Sequence, residues 1–532
     1  MTTAPAVLTT QQLIERSSTA RLLLPSLADL FFCCSILWSF FSGLGWEMLL
    51  LDGDTGWHIR TGEWILDHRQ VPKQDLFSFT RPGAPWFAWE WLSDVIYALL
   101  YRALGLKGIV LFSAVLLATW TTVFLRWLLW RRIGFFLALG ATFAVSYASS
   151  IHFHARPHLL TLLLFTLAIW MVDSDRRREQ PRIWLLIPLV ALWTNLHGGF
   201  LALVAYLALT ALGFLLEGEW RRAQRYALLT LGCLAASLAN PYGWQLHRHI
   251  AGYLSSDWIR NHVQEFQAPT FRTPAHLVFE LALFGGVAVA GWLIRSRRLS
   301  EALPICYWAH AALTVVRHVP LFMVTAVPSM AGWLSRHAPQ SPLWRGLDED
   351  CRRAAQRLSL APLLFVGGLL AAPGISWPTD FARVKFPQQT VRRYGELLAS
   401  SRVFTSDQWA DYLIFHHFPR QRVFVDGRSD FFGPALGDAY LALQAGRWDY
   451  AGLLRQWRID VVLAPAEWPL ATLLKRDPEW RLVSDDGQAL LFVRPQASPL
   501  PPPAPLPPRG SQKTFALMPQ PPSAEGMSRD LG

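Results

Sequence analysis

Long apolar runs recur along most of this chain, and short arginine clusters separate many of them. A run of about 20 apolar residues is long enough to cross the hydrocarbon core of a bilayer as a helix. Of the 532 residues, 52% are hydrophobic and only 16% are charged, which is not the balance of a soluble protein of this size. The pattern therefore predicts an α-helical polytopic membrane protein.

We expect about eleven membrane spans, several of them shorter than usual. Short or bent spans are tolerated where they are buried in protein. The expected spans lie near residues 22–45, 106–126, 133–150, 158–172, 183–196, 199–216, 226–240, 276–294, 301–316, 318–334 and 359–374.

The arginine clusters predict the orientation of these spans. Basic loops remain in the cytoplasm, so residues 1–21 are expected there. The first long loop, 46–105, and everything after about residue 375 are then expected outside the cytoplasm. Much of the formal net charge of +11 sits in the arginine loops, which argues against nucleic acid as a partner. The clusters fall in every second connection: Arg131-Arg132, Arg176-Arg177-Arg178, Arg221-Arg222, Arg295/Arg297/Arg298 and Arg352-Arg353.

Two segments follow the predicted membrane region, 22–374. Residues 375–495 contain the short β-prone runs "RVFTS", "QRVFVDGR", "IDVVLAP" and "QALLFVRP", with helix-like stretches between them. This alternation predicts a small extracytoplasmic α/β domain. Residues 496–532 include "SPLPPPAPLPP" and are expected to be a disordered, extended tail, because proline removes backbone donors.

An acid pair follows the first span directly, in "LDGDTGWHIR". Asp52 and Asp54 could form a simple turn with the intervening glycine, since both residue types favour turns. Their position at the membrane surface favours a catalytic pair instead. We expect Asp54 to be the general base and Asp52 its partner, or a ligand of a divalent cation such as Mg²⁺ or Mn²⁺. His58, on the same segment, is a candidate substrate contact.

Basic residues occur in several later connections that should face the same side as the acid pair. Charged groups at membrane depth are costly and usually mark function. "HFHARPH" could instead suggest a metal cluster, and Glu265 could merely end a loop. The candidates for substrate binding are Arg156, His158, His197, Glu265, Arg317 and His318.

Glycosyl transfer from a lipid-phosphate sugar requires this set of groups. The lipid tail needs a groove in the membrane, and its phosphate needs arginine or histidine donors. The acceptor hydroxyl needs a carboxylate to take its proton. Asp426 and Arg428 in "VDGRSD", by contrast, are expected to form an internal ion pair, with a substrate role as the alternative.

The motifs also resemble a known class. "DGDTGWHIRTGEWIL", "VPKQDLFSFT", "EWLSDVIYALLYR", "NLHGGF", "NPYGW" and "VFVDGRSDFFG" are similar to segments of bacterial membrane proteins grouped with the GT-C glycosyltransferases. That class includes protein O-mannosyltransferases and the lipid A aminoarabinose and galacturonic acid transferases. The resemblance covers about residues 20–495 and implies a polyprenyl-phosphate sugar donor. It also implies an acidic motif in the first outer loop, here "DGD", a glycolipid, glycan or protein acceptor, and a bacterial inner-membrane location.

The sequence is also compatible with two other functional classes of protein. Transporters and flippases also combine polytopic folds with buried charge. A non-catalytic assembly protein of the cell envelope is the other alternative. In an enzyme, the acid pair should lie beside arginine or histidine from other loops, over a groove open to lipid. In a transporter, the charges should line a midplane cavity between repeats.

Overall fold

The computed structural model describes residues 22–41, 43–337 and 341–495. The expected cytoplasmic segment 1–21 and the expected Pro-rich tail 496–532 lie outside the described residues. The described chain consists of a bundle of helices followed by a smaller part that contains a sheet. The candidate site lies where the two parts meet.

The bundle contains a helix at each of the eleven expected spans. Further helices lie in the connections, and short 3-10 turns precede or follow several helices. In chain order the helices are α1 (Leu27–Phe41), α2 (Asp54–His68), α3 (Trp91–Leu104), α4 (Leu106–Trp130), α5 (Phe135–Ala148), α6 (His158–Arg177), α7 (Leu186–Trp193), α8 (Phe200–Glu217), α9 (Trp220–Ala236), α10 (Trp244–Leu254), α11 (Asp257–His262), α12 (Pro274–Arg295), α13 (Leu299–Thr314), α14 (Val319–His337), α15 (Pro342–Ala355) and α16 (Ala361–Ala371).

Four of these helices, α4, α6, α8 and α12, are long and apolar enough to cross a membrane by length and composition. The apolar helices α1, α5, α7 and α16 are shorter. A protein with several such helices is a multi-pass membrane protein. The count of eleven crossings stays a prediction.

The arginine clusters gather at one end of the bundle. Arg131, at the end of α4, lies 3.6 Å from Asp173 near the end of α6. Arg225 of α9 is 2.9 Å from Asp175, two residues further along α6. Arg176 donates to the carbonyl of Ser300 at the start of α13. The helix ends near the arginine clusters, which the sequence predicts to lie on the cytoplasmic side, are therefore close together in space.

The C-terminal part is a small α/β unit, as the sequence predicted. Its four-stranded sheet has the order β1-β2-β4-β3, with β1 parallel to β2 and the other pairs antiparallel. All residues of β2 and β4 are buried. The elements are α17 (Gln388–Ser400), β1 (Val403–Phe404), α18 (Asp407–His417), α19 (Ser429–Phe432), α20 (Pro434–Gln444), α21 (Tyr450–Gln456), β2 (Val461–Pro465), α22 (Pro469–Leu474), β3 (Arg481–Asp485) and β4 (Ala489–Val493).

One β-prone run does not become a strand of this sheet. In "QRVFVDGR", Val423 forms single bridges with Val403 of β1 and with Ser78 of the first long loop. The strand β3 was not predicted, because "RLVSD" carries few apolar residues and lies exposed at the sheet edge. The segment around Val423 thus joins the sheet to the first loop instead of extending the sheet.

The first long loop and the C-terminal part share one hydrophobic core. Trp57, Phe77 and Trp86 of the loop belong to the same buried cluster as many side chains of the C-terminal part. The expected ion pair between Arg428 and Asp426 is confirmed, at 2.6 Å. Arg428 also reaches Asp75 of the loop, at 2.7 Å. The two segments are therefore a single packed unit above one end of the bundle.

Candidate active site

The acid pair lies at the N-terminus of α2, where the partial positive charge of a helix favours carboxylates. The backbone N–H of Asp54 donates to Oδ1 of Asp52 at 3.0 Å, so the turn that the residue types favour is present. The pair is nevertheless buried, because Asp52 is 8% exposed and Asp54 is 4% exposed. A turn alone would not require burial of both carboxylates, and their charge must be balanced by a nearby cation.

Arg156 supplies that cation from the connection between α5 and α6. Its Nη1 lies 3.0 Å from Asp52 Oδ2, and its Nη2 lies 2.7 Å from Asp54 Oδ2. The same Nη1 is 2.7 Å from Glu265 Oε1, and Glu265 is 3.6 Å from Arg317. Five residues singled out in the sequence therefore meet in one charged cluster, although they come from four separate segments.

The three carboxylates around Arg156 differ in their affinity for protons. Burial acts to raise the pKa of Asp52, but Arg156 and His154 outweigh it and the pKa is lowered. Glu265 behaves in the same way, since Arg156 and Arg317 outweigh its burial and hold its pKa well below its usual value. Burial instead raises the pKa of Asp54 to about 7, against the pull of Arg156. Asp54 is thus the carboxylate of the cluster best matched to accept a proton near neutrality.

The four predicted histidines lie close to this cluster but differ in surroundings. His58 is 1% exposed, shares a 2.6 Å hydrogen bond with Asp94, and is not among the described residues that line the cavity. His158, His197 and His318 do line it. The ring of His158 donates to the carbonyl of His152 at 2.6 Å, and that of His318 to the carbonyl of Ala311 at 3.2 Å.

Glu90 is a site residue that the sequence analysis missed. Its carboxyl group lies 3.4 Å from Nε2 of His197 and 3.6 Å from Nε2 of His58, and it lines the cavity. Nδ1 of His197 accepts from the N–H of Gly199 at 2.9 Å, so Nε2 carries the hydrogen that faces Glu90. Burial raises the pKa of Glu90 to about 8, against Arg156 and Arg317. The position of Glu90 directly before the "WLSDVIYALLYR" helix, in the same outer loop as the acid pair, was the signal in the sequence that could have identified it.

Asp411 is the second residue that was missed. It lies on α18 of the C-terminal part and is 0% exposed. A Cβ placed on Gly427 would collide with Oδ1 of Asp54 and lie 2.8 Å from Oδ2 of Asp411, so the two carboxylates are neighbours. The N–H of Gly427 donates to both of its oxygens, at 3.1 and 3.2 Å. No local pattern in "DQWADYLIFHH" distinguishes this aspartate from one on an exposed helix face. The contact arises only because α18 packs on α2.

A cavity of about 1070 Å³ opens from the charged cluster. Asp54, Glu90, Arg156, Glu265 and Arg317 lie along its polar part. Another part of its wall is apolar and comes from α6, α8, α13 and α14, through side chains such as Leu162, Leu201, Ala202, Ala205, Trp308 and Leu321. The cavity can therefore hold a molecule that has an apolar chain and an anionic head group.

The role of Asp52 as a ligand of a divalent cation stays a prediction. Among the described residues, no three His, Cys, Asp or Glu side chains are grouped to hold one ion. Arg156 contacts one oxygen of each aspartate and so places a positive charge beside the pair. The guanidinium thus offsets part of the charge of the acid pair.

Comparison of the sequence with protein-family models gives no match. Comparison with curated proteins gives no match either. Solved structures do match, at low sequence identity and over most of the chain.

The following three solved structures match with TM-scores of 0.50 or above. The first is the archaeal oligosaccharyltransferase AglB from Archaeoglobus fulgidus, in complex with an inhibitory peptide and a dolichol-phosphate. It has a TM-score of 0.53 at 9% identity, covering 90% of this chain and 76% of that one. An Archaeoglobus fulgidus oligosaccharyltransferase in the apo form has a TM-score of 0.50 at 11% identity, covering 82% and 69%. ArnT from Cupriavidus metallidurans bound to undecaprenyl phosphate has a TM-score of 0.50 at 11% identity, covering 87% and 97%.

These likenesses concern the fold. The chain is structurally similar to the GT-C glycosyltransferases AglB and ArnT, as the sequence resemblance implied. The small mixed sheet of its C-terminal part agrees with the expected α/β domain. At such low identity, the substrates of these proteins do not transfer to this chain.

Proposed function

We propose that this protein is a glycosyltransferase of the bacterial inner membrane. It moves a sugar from a polyprenyl-phosphate donor to an acceptor of the cell envelope, on the outer face of that membrane. The acceptor is a glycolipid, a glycan or a protein. The observation that best supports this proposal is the cavity in which a buried Asp54–Arg156 pair adjoins a wall of apolar side chains from four helices.

The donor's lipid chain fits the apolar wall, since a polyprenyl tail needs a groove from which water is excluded. Its phosphate would lie toward Arg317, which is 23% exposed and is held by a long 3.6 Å contact with Glu265. Arg156 is more fully engaged, because Asp52, Asp54 and Glu265 all contact its two terminal nitrogens. We therefore assign phosphate binding mainly to Arg317, with Nε of Arg156 as the remaining donor of that side chain.

Asp54 acts as the general base in this proposal. It takes the proton of the acceptor hydroxyl while the acceptor oxygen attacks the anomeric carbon of the sugar. The bond between that carbon and the phosphate oxygen breaks, and the polyprenyl phosphate leaves with the bonding electrons. Arg317 stabilises the charge that develops on the leaving phosphate. A single displacement of this kind inverts the configuration at the anomeric carbon.

Glu90 and the histidines would orient the substrates. At neutral pH, Glu90 is largely protonated because burial raises its pKa to about 8. A neutral carboxyl group beside His197 can donate to a sugar hydroxyl or to a phosphate oxygen. Burial, with Arg317 and Arg156, lowers the pKa of His197 to about 3, so this ring remains neutral and acts through hydrogen bonds.

The arrangement favours an enzyme over a transporter. The two aspartates contact an arginine from another connection and lie at one end of the bundle, beside a cavity with a partly apolar wall. This is the arrangement expected of an enzyme, whereas a transporter would place its charges at the midplane between repeats.

The test uses a strain that lacks the gene, complemented with wild type, with Asp54→Asn, or with the exposed control variant Glu396→Gln. Envelope glycans and glycolipids are then compared by mass spectrometry. We expect one glycosylated species to disappear in the deletion strain and in Asp54→Asn, and to return with wild type and with the control. An unchanged envelope in the deletion strain would refute the proposal.

A further inference from the structure

Two helices bring a second carboxylate against the proposed base. The side chain of Ser406 caps α18 by accepting from the N–H of Trp409, and the helix then packs on α2. Gly53 lies at this crossing, where a Cβ would come within 2.9 Å of the Cβ of Asp411. A larger residue would force the helices apart, so the glycine allows Asp411 to approach Asp54.

The hydrogen bonds of Asp54 are incomplete without Asp411. Its Oδ2 is held by Arg156 at 2.7 Å. Its Oδ1 is buried and has no N–H donor among the described residues. Buried polar atoms are nearly always hydrogen-bonded, since leaving one unpaired is costly. A side chain added at Gly427 would collide with Oδ1 of Asp54 and with Oδ2 of Asp411, so these two oxygens border the same small space.

The charges around Asp411 disfavour a second negative charge. Its acidic neighbours are Asp54, Asp426 and Asp407. The nearby cations are already paired, because Arg156 contacts the other oxygen of Asp54, and Arg428 contacts Asp426. Two ionised carboxylates in such contact would repel each other strongly, and pairs of this kind share one proton.

We propose that Asp411 is a positioning residue for Asp54, which keeps a proton on its own carboxyl group and donates it to Oδ1 of Asp54. This inference rests on the proposed role of Asp54 as the base. The donated hydrogen bond and Arg156 together hold the ionised carboxylate at both oxygens, so its orientation in the site is fixed. When the acceptor hydroxyl loses its proton to Asp54, the proton of Asp411 stays where it is.

The direction of the pKa shifts agrees with this geometry. Burial and the neighbouring Asp54 raise the pKa of Asp411 well above its usual value. Burial raises that of Asp54 less, to about 7, because Arg156 opposes the effect. The shared proton therefore resides on Asp411, and the charge resides on Asp54. A residue of the C-terminal part thereby holds the orientation of a base that belongs to the first loop.

The test compares the full-length Asp411→Asn and Asp411→Ala variants, with Glu396→Gln as a control on an exposed carboxylate of the same part of the chain. Asparagine keeps an N–H donor for Oδ1 of Asp54, whereas alanine removes it. Loss of a hydrogen bond to a charged group is expected to lower the transfer rate by about 10- to 100-fold in Asp411→Ala. Asp411→Asn should recover most of this loss, and Glu396→Gln should behave as wild type.

An infrared measurement tests the proton itself and needs no glycosyl transfer. The carbonyl stretch of a protonated carboxyl group is separate from the bands of a carboxylate. At neutral pH, wild type should show such a band that is absent in Asp411→Asn and present in Glu396→Gln. In Asp54→Asn the band should shift, because its hydrogen-bond acceptor has changed.

Three results would overturn the proposal. They are the absence of that band in wild type, equal losses of rate in Asp411→Asn and Asp411→Ala with both variants folded, and a wild-type rate in Asp411→Ala. If wild type itself transfers no sugar, the proposed function fails, while the infrared band still reports whether Asp411 holds a proton beside Asp54.

Discussion

Replacing Arg156 by Gln removes the cation that three carboxylates share. In the folded protein, Arg156 lies 3.0 Å from Asp52, 2.7 Å from Asp54 and 2.7 Å from Glu265. The side chain of Glu265 is 36% exposed, so water can replace the lost contact there. Asp52 and Asp54 are 11% and 5% exposed as side chains, and the cost of the substitution falls on them.

The size of that cost follows from the burial. Removing one partner of a buried ion pair typically destabilises a protein by about 3–5 kcal/mol, because an uncompensated charge remains. If each kcal/mol lowers the melting temperature by about 2 °C, as in larger domains, the expected decrease is roughly 6–10 °C. Arg156→Lys keeps the charge but loses the forked geometry, so its decrease should be smaller.

The loss should also depend on pH. In wild type, the lowered pKa values of Asp52 and Glu265 contribute stability that is present above about pH 4 and lost as the pH falls through the lower folded values. In Arg156→Gln, burial without the cation raises the pKa of Asp52 and of Asp54, so both bind protons in the folded state at pH values where the unfolded chain does not. The difference from wild type should therefore be largest near pH 8 and smaller near pH 5.

The assay is thermal unfolding of purified variants in one detergent, followed at pH 5, 6.5 and 8. Arg420→Gln is the matched control, because Arg420 forms an exposed pair with Glu396 that should contribute little at any pH. The reasoning is refuted if Arg156→Gln melts with wild type at pH 8, or if its deficit is the same at all three pH values.

Three further outcomes are expected. Asp54→Asn should lower the transfer rate by about 10²–10⁴-fold while membrane insertion survives. Wild-type kcat/KM should fall as the pH drops below about 7, since burial raises the pKa of Asp54 to about 7 and only the ionised form accepts a proton. A rate that is constant from pH 5 to 8 would exclude Asp54 as the base. Gly427→Ala should lower activity because a Cβ there meets Asp54, whereas Gly452→Ala has open space and should not; equal activities would contradict the packing. An impermeant thiol reagent on cells with an opened outer barrier should label an engineered Cys at Ser429 and not one at Arg177, and the reverse pattern would invert the orientation.

The sequence predicted the helical bundle well because its signal is local. Each span is read from its own apolar residues, and helices such as α4 (106–130) and α12 (274–295) begin and end within a few residues of the expected limits. The charged cluster was also predictable, since the alternation of arginine clusters places the connections carrying Asp54, Arg156 and Arg317 at the same end. That prediction needs only the topology, with no knowledge of side-chain packing.

Asp411 and Glu90, which the sequence did not indicate, belong to the site only because distant segments pack together. Asp411 is 357 positions from Asp54 in sequence, and nothing in its own helix shows that α2 packs against it. Glu90 becomes part of the site only because the loop folds back between His58 and His197. Local patterns predict which element forms, whereas these contacts depend on how the first loop packs on the C-terminal part.

The shared core of the first loop and the C-terminal part also determines when the site can assemble during synthesis. Asp75 leaves the ribosome 353 residues before Arg428, its partner in the completed protein. At about 5–20 residues per second, that interval lasts roughly 20–70 s. For most of it, Trp57, Phe77 and Trp86 lack the side chains of the C-terminal part that later share their buried cluster. A chain interrupted before residue 428 therefore exposes an unfinished hydrophobic surface, which chaperones and proteases can recognise.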